Sequence, residues 1–465
     1  MEKTASVSPG IRRRASQHCL APNCAAVFNL TQPIYVCPRC QAPLEIQVDL
    51  DPQFDAAHLR DIWLSRRSSA DPLDRSGVWR FRELLPFDDS APIVTLLEGN
   101  TPLYDAPRSA DYCGLRALRL KHQGCNPTGS FKDTGMTLAV THAKLLGART
   151  AVCASTGNTA ASLAAYSARA GLQCAILVPR GQITAAKLAQ SMDYGAVICE
   201  IEGNFDDCMR LIQELSEDPA IYLANSINPF RIEGQKTVAF ELMEQLAWHA
   251  PDHLVVPGGN LGNSSAFGKG LRELLSLGLI GRMPKLHVIQ AEGSAPFARM
   301  FAELQTKGSP DPSQLPDALM PEPQPRTLAT AIKIGAPASW RKSLRAVLES
   351  HGQVIAVTEQ EIADAKAMIG RDGIGCEPAS ATTVAGIRKL VAAGHIHPDD
   401  NVIAVLTGHL LKDPDYVGNY HRGTLALHAD RERGAALKIE GKFQNRPEHV
   451  AANKSAILET LKRRT

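Results

Sequence analysis

The stretch Asn126-Pro127-Thr128-Gly129-Ser130-Phe131-Lys132-Asp133 places one lysine in a Gly/Ser/Thr turn, just ahead of a helical segment that starts near Thr134. Small polar neighbours, Phe131 on one side and the positive end of the following helix make this an unusual setting for a surface charge. A lysine so placed gives up its proton more readily and can attack an aldehyde, the chemistry of Schiff-base lysines. Read alone, the octapeptide also suits an ordinary loop leading into a helix. Its companions decide between the two.

Around it the apolar pattern alternates between two periods. Strands are predicted over 118–121, 150–153, 174–178, 196–201 and 221–223, then over 254–256, 285–290, 354–357 and 402–406. Helices are predicted over 136–146, 158–170 and 238–248. Strands alternating with helices imply an α/β chain built on parallel sheets. Ahead of this body, residues 51–92 carry Trp63, Trp79, Phe81, Leu84 and Leu85 and predict a helical arm. Six prolines, Pro310, Pro312, Pro316, Pro321, Pro323 and Pro325, mark a surface excursion over 308–325. Residues 454–464 read as a solvated terminal helix.

Three further motifs follow strands. Ser155-Thr156-Gly157-Asn158-Thr159 opens a helix, and its hydroxyls, amide and free N–H groups suit a carboxylate or phosphate. Taken by itself it is equally a helix N-cap. Val256-Pro-Gly-Gly-Asn-Leu-Gly-Asn263 also opens a helix, and Gly258, Gly259 and Gly262 let backbone approach an anion, or simply make a tight connection. Thr407, in Val405-Leu-Thr-Gly-His-Leu-Leu-Lys-Asp413, falls at the carboxyl end of a strand, where α/β sheets hold their ligands. It can hydrogen-bond a ring nitrogen or form a turn.

The 465 residues are 44% hydrophobic and carry 50 Lys+Arg against 48 Asp+Glu, enough for two or three domains with cores. The basic residues are scattered, so neither a nucleic-acid footprint nor a polybasic membrane patch is present. No apolar run approaches the roughly 18 residues of a transmembrane helix. Arg12-Arg13-Arg14 lacks a following apolar region, so no secretory signal is read and a cytoplasmic setting is expected. Eleven cysteines, an odd number, fit a reducing compartment. Cys19-x4-Cys24 and Cys37-x2-Cys40 form two knuckles that can present four thiolates to one zinc ion, or four reduced thiols in a small metal-free subdomain. Only Arg39 is basic between 24 and 41, which argues against DNA binding.

In order and separation these motifs resemble the pyridoxal-phosphate-dependent threonine synthases, enzymes of fold-type II. The resemblance covers most of 19–415. It includes Trp79-Arg-Phe-Arg-Glu-Leu-Leu, Glu98-Gly-Asn-Thr-Pro-Leu103, the lysine motif, Ala154-Ser-Thr-Gly-Asn-Thr159, Ala224-Asn-Ser226 and Arg231-Ile-Glu-Gly-Gln-Lys-Thr237. His122 with Phe205-Asp-Asp-Cys-Met209 is similar to the plant-like branch. The chain departs from many relatives at Thr134, where they carry arginine, and at Gln123, near where they carry an acid.

The resemblance implies two parallel-sheet domains like tryptophan synthase β: a large one from 93–134 plus 246–428, a small one from 135–245. A zinc-ribbon-like segment (1–50), the arm (51–92) and a tail (429–465) would complete the chain. It implies a homodimer with pyridoxal phosphate on Lys132. Asn158, Gly258, Gly259, Asn260, Leu261, Gly262 and Asn263 would hold the cofactor, and Thr407 would face its ring nitrogen. O-Phospho-L-homoserine would be held by Ser155, Thr156, Asn158, Thr159, Asn225, Ser226 and Arg231, then converted with water to threonine and phosphate. Serine or threonine dehydratases and cysteate synthase-like enzymes use the same lysine but need no Arg231 clamp. A surface charge is the other reading of Arg231. A non-catalytic pyridoxal-phosphate-binding homologue would not be expected to keep Lys132, the glycine loop and Thr407 all intact.

Overall fold

Val- and Ile-rich runs bounded by turns form the strands of two parallel sheets. The computed structural model describes residues 15–21, 23–49, 54–181, 185–308, 315–427 and 436–463, leaving Arg12–Arg14, Pro310, Pro312 and Arg464 outside the described residues. One sheet runs in the order Val354–Val357, Lys285–Ala291, His253–Pro257, Val402–Leu406, Leu118–His122, and Leu103–Asp105 joins it antiparallel at the edge. The second runs Val197–Ile201, Gln173–Pro179, Thr150–Ala154, Ile221–Leu223, all parallel. His253–Pro257 and Val402–Leu406 are buried at every position, as expected of parallel strands covered by helices on both faces. No helix of the described residues is long and apolar enough to cross a membrane. Residues 315–325 contain neither helix nor strand and are mostly exposed, as the prolines predict.

Three helices that start near one another set the geometry of the centre: Lys132–Leu145, Pro229–Gln245 and Gly262–Ser276. They cross at glycines. A Cβ on Gly234 would lie 1.8 Å from the carbonyl oxygen of Thr134, and one on Gly135 2.7 Å from that of Arg231. On the other flank, a Cβ on Gly270 would meet the Lys236 carbonyl at 2.7 Å. Backbones this close hold the first turns of all three helices side by side.

The middle helix corrects the sequence reading, which began it at 238 and ended it at 248. It begins at Pro229, capped by Asn228, and ends before Ala247 and Trp248, both at positive φ. Its first turns look polar in sequence but are buried, with Glu233 and Lys236 paired internally. Lys236 Nζ lies 2.8 Å from both Glu233 and Glu273, and Lys269 joins Glu233. The lysine helix likewise starts at Lys132, four residues before the predicted 136–146 and two before the start read near Thr134.

The N-terminal ribbon is a three-stranded antiparallel sheet, with Ala15–Cys19 between Val27–Phe28 and Leu44–Val48. Its edge carbonyls are taken up by the body: Lys342 Nζ donates to Leu44 O at 2.5 Å, and Lys269 Nζ donates to Ile46 O. His142 donates from Nε2 to Leu30 O at 2.7 Å and accepts at Nδ1 from the Tyr222 hydroxyl at 2.8 Å. Burial holds its pKa down at about 3, so it stays neutral in that tautomer. Tyr35 OH accepts from Leu223 N at 2.8 Å. The arm consists of the helices Ala56–Arg66 and Pro72–Arg75 and a 3-10 turn, Trp79–Leu84. Trp63, Phe81 and Leu84 join the core of the larger sheet, whereas Trp79 and Leu85 pack with Phe230 and Leu30 of the ribbon. The tail helix, Lys454–Lys462, is exposed.

Gly234→Ala should overpack the closest helix crossing and cost about 1–3 kcal/mol of stability. Gly281→Ala, where a Cβ meets nothing within 4 Å, serves as the neutral control. Urea midpoints of the two variants against the parent protein measure the difference.

Candidate active site

The predicted residues converge where both sheets present their carboxyl ends. Lys132 stands at the first turn of its helix, with Nζ 4.2 Å from the centroid of the Phe131 ring. Burial, reinforced by the Arg231 guanidinium and opposed by Glu377, pushes its pKa down to about 7. A large fraction is therefore free amine at neutral pH. Lys121, the nearest alternative, is spent: it is ion-paired to Glu241 and donates to Thr101 O at 2.7 Å.

Asp133 builds the turn that aims Lys132. Its carboxylate accepts from Thr128 N (2.7 Å), Thr128 Oγ1 (2.6 Å) and Ser162 Oγ (2.6 Å). Gly129 sits at φ +83°, where a side chain would be strained. Phe131 N donates to Thr407 O at 2.9 Å and His409 N to Gly129 O at 2.9 Å, so the lysine turn is laced to the Thr407 loop. His122 donates to Gly375 O and accepts from Gly124 N, a structural role outside the chemistry.

The glycine loop ends in the helix Gly262–Ser276, whose first N–H groups, those of Gly262, Asn263 and Ser264, precede any carbonyl four residues back within the helix. Leu261, the residue before it, is buried at φ +63°, a conformation that costs a non-glycine residue about 1–2 kcal/mol. Gly258 and Gly259 are required chiefly by packing: a Cβ would meet Val288 Cγ1 at 2.7 Å or Ile332 Cγ2 at 3.1 Å. The Asn260 side chain is used structurally, donating to Ser226 Oγ (3.0 Å) and accepting from Ala338 N (2.8 Å).

The anion-binding candidates divide. Arg231 is 2% exposed, which excludes a surface charge. Nη1 donates to Ala224 O at 3.2 Å, Nε has no protein partner, and burial holds the guanidinium at about 10, with Cys153 opposing. Asn225 instead spans the strand end, accepting from Ala154 N (3.1 Å) and donating to Ala154 O (3.3 Å). Ser155 accepts from Gly157 N at 3.3 Å; Thr156 is half-buried beside it and Thr159 is buried in the first turn that follows.

Glu377 was missed from sequence. It precedes Pro378 at the head of the helix Pro378–Ala392, where an acid reads as a cap, yet it makes no cap bond. Its carboxyl faces Asn158 Nδ2 (2.9 Å) and Thr407 Oγ1 (3.0 Å) instead. Gln235 is also new to the site, with Oε1 3.7 Å from a Cβ placed on Gly262. Both amide atoms of Asn263, Gln235 Oε1 and Arg231 Nε are buried without a protein partner. Orphaned polar groups beside a partly deprotonated lysine and a free helix N-terminus fit an anionic aldehyde, and pyridoxal phosphate is one.

The four ribbon cysteines come together as the spacing predicts. Their sulfurs all lie within 4.8 Å of one another, with Cys19–Cys40 at 3.4 Å and Cys24–Cys37 at 3.7 Å. Zn–S bonds of ~2.3 Å in a tetrahedron need sulfurs ~3.8 Å apart, so this donor set fits zinc.

Residues 94–408 match the family described as pyridoxal-phosphate dependent enzyme. The chain is 44% identical over 400 residues to a threonine synthase of Methanocaldococcus jannaschii, covering 86% of this chain and 93% of that one. It is 43% identical over 402 residues to the threonine synthase of Methanosarcina acetivorans, with the same two coverages, 86% and 93%. Among solved structures, a fungal L-serine ammonia-lyase from Rhizomucor miehei aligns with a TM-score of 0.56 at 19% identity, covering 67% of this chain and 94% of that one, a likeness of fold.

In cofactor-free protein, trapping of pyridoxal phosphate by borohydride at Lys132 should rise with pH through a midpoint near 7, because the free amine attacks. Arg231→Gln removes a neighbouring cation and should move that midpoint upward; an unmoved midpoint would leave burial as the sole cause. Protein purified without chelator should carry about one zinc per chain by elemental analysis, and Cys37→Ser should lose it.

Proposed function

The chain belongs to the pyridoxal-phosphate-dependent threonine synthases, and from that premise we propose which of its residues carry each part of the conversion of O-phospho-L-homoserine and water to L-threonine and phosphate. The observation that carries the substrate assignment is Arg231, a buried guanidinium with an unpartnered Nε and no carboxylate partner among the described residues. A planar cation in that state suits a phosphate, which it can bind through two parallel hydrogen bonds.

When bound, pyridoxal phosphate supplies the electron sink. Lys132 is its attachment point and the base that takes the proton from Cα of the substrate, a task suited to an amine whose pKa lies near 7. The N–H groups of Gly262, Asn263 and Ser264 and the Asn263 amide hold the cofactor phosphate. Thr407 faces the ring nitrogen, and Asn158 lies on the same side through Glu377. Ser155, Thr156 and Thr159 hold the substrate carboxylate at the opening of their helix. Arg231 and Ser226 hold the leaving phosphate, while Asn225 fixes the loop that carries them. The ribbon cysteines hold a structural zinc ion remote from this chemistry.

In this reading the larger sheet carries the cofactor within 93–134 plus 246–428, and the smaller sheet, within 135–245, carries the substrate carboxylate. A cytoplasmic homodimer completes the proposal; the free state of the described cysteines suits such a reducing setting.

Arg231→Ala should lose roughly 2–4 kcal/mol of charge-assisted binding to phosphohomoserine. The visible-spectrum response of the holoenzyme to serine, which has no phosphate, should be spared. Inorganic phosphate and threonine measured together from both proteins test this. Release of 2-oxo acid from serine, without phosphate from phosphohomoserine, would make the chain a dehydratase instead.

A further inference from the structure

Hydrogen-bond accounting around Thr407 leaves one proton undecided, and that proton bears on the cofactor. Ser380 Oγ accepts from two backbone groups, Thr407 N at 2.8 Å and Gly408 N at 3.1 Å. With both lone pairs spent, the Ser380 hydroxyl donates to Thr407 Oγ1, 3.1 Å away. Thr407 Oγ1 also lies 3.0 Å from Glu377 Oε1, and Glu377 Oε2 accepts from Asn158 Nδ2 at 2.9 Å. The Thr407 hydroxyl therefore has one proton and one lone pair to divide between Glu377 and a ring nitrogen. This step rests on the reading of Thr407 as the ring partner.

Two arrangements satisfy every group. With Glu377 ionised, Thr407 donates to it and offers the ring only a lone pair, so the ring nitrogen must be protonated. With Glu377 protonated, Oε1–H donates to Thr407, whose own proton turns to an unprotonated ring nitrogen. The two interconvert without net change. One proton leaves Glu377 Oε1 for Thr407 Oγ1 while the hydroxyl proton leaves Thr407 for the ring nitrogen.

We propose that Glu377 holds this proton at rest and passes it to the ring nitrogen through Thr407 as electron density enters the ring. One carboxyl thus sets the strength of the electron sink while touching neither substrate nor reacting carbon. The surroundings favour the protonated acid. Glu377 is 2% exposed, and burial raises its pKa. Asp413 pushes the same way, the Asn158 and Thr407 hydrogen bonds and Lys412 oppose, and Lys132 and the Cys376 thiol also face it. As pH rises through the raised value, Glu377 ionises, Thr407 turns to the carboxylate, and the ring nitrogen loses its donor.

Holoenzyme loaded with pyridoxal phosphate labelled with 15N in the ring tests this by NMR. The expected ring-nitrogen signal below the step is that of a hydrogen-bonded, unprotonated pyridine, and the one downfield step falls at a pH above the ordinary carboxylate range. Glu377→Gln, whose amide keeps donating to Thr407 without titrating, should abolish the step and lower kcat about tenfold or more with little change in KM. Glu377→Asp should bring the step back. A pyridinium signal in the resting native enzyme, the absence of a step there, or a step that persists in Glu377→Gln overturns the proposal. Thr407→Val separates the two levels. A ring signal that this variant leaves unmoved removes Thr407 as the ring partner; a signal that it moves, without any Glu377-dependent step, removes only the proton-holder role.

Discussion

The site depends on how closely three helices can approach. Lys132–Leu145, Pro229–Gln245 and Gly262–Ser276 touch backbone to backbone at Gly135, Gly234 and Gly270. Ordinary helix pairs stand 8–10 Å apart because side chains separate them. Here the missing side chains let three helix N-termini meet at one place. Each brings partial positive charge, and two bring Lys132 and Arg231 as well. The crossing and the chemistry are one constraint, since a methyl group at Gly135 or Gly234 would push apart the two helices that carry Lys132 and Arg231.

That assembly carries a surplus of positive charge which the protein leaves uncancelled. Arg231 shares its helix with Glu233, the nearest acid in sequence, but Glu233 is committed to Lys236 and Lys269. The buried ion network beneath the site therefore keeps carboxylates away from Arg231. Replacing it whole with apolar residues costs little stability in general terms, whereas removing Lys236 and Lys269 alone would leave Glu233 unpaired two residues from Arg231. Glu377 is the acid that does face the cleft, and burial disfavours its charge. The cleft is thus arranged to be completed by anions.

Much of this was legible in the sequence. The strands 221–223, 354–357 and 402–406 and the helix 158–170 follow the predicted bounds, since their apolar periods and capping residues agree. Lys132, the Gly262 helix start, Thr407 and the cysteine quartet were legible because each lies in a short motif whose geometry is local. The early turns of Pro229–Gln245 were hidden because their buried charges imitate a surface. Glu377 was hidden because its partners, Asn158 and Thr407, lie 219 and 30 residues away in the chain. Asn225 and Asn260 show the converse. Their residue type suits a ligand, yet their amides bind other parts of the chain, Asn225 the Ala154 backbone and Asn260 the Ser226 hydroxyl and Ala338 N.

The ribbon's attachment bears on how the chain is made. Its edge carbonyl at Leu44 is met by Lys342, 298 residues later. At roughly 5–20 residues per second, synthesis leaves that strand edge without its partner for about 15–60 s. During this interval the ribbon must survive as an isolated sheet of a few short strands, a size that rarely stands alone in water. The four thiols, gathered within 4.8 Å by the ribbon's own turns, need nothing from the rest of the chain. They give this part of the nascent polypeptide a means of closing itself while its docking surface is still inside the ribosome or not yet translated.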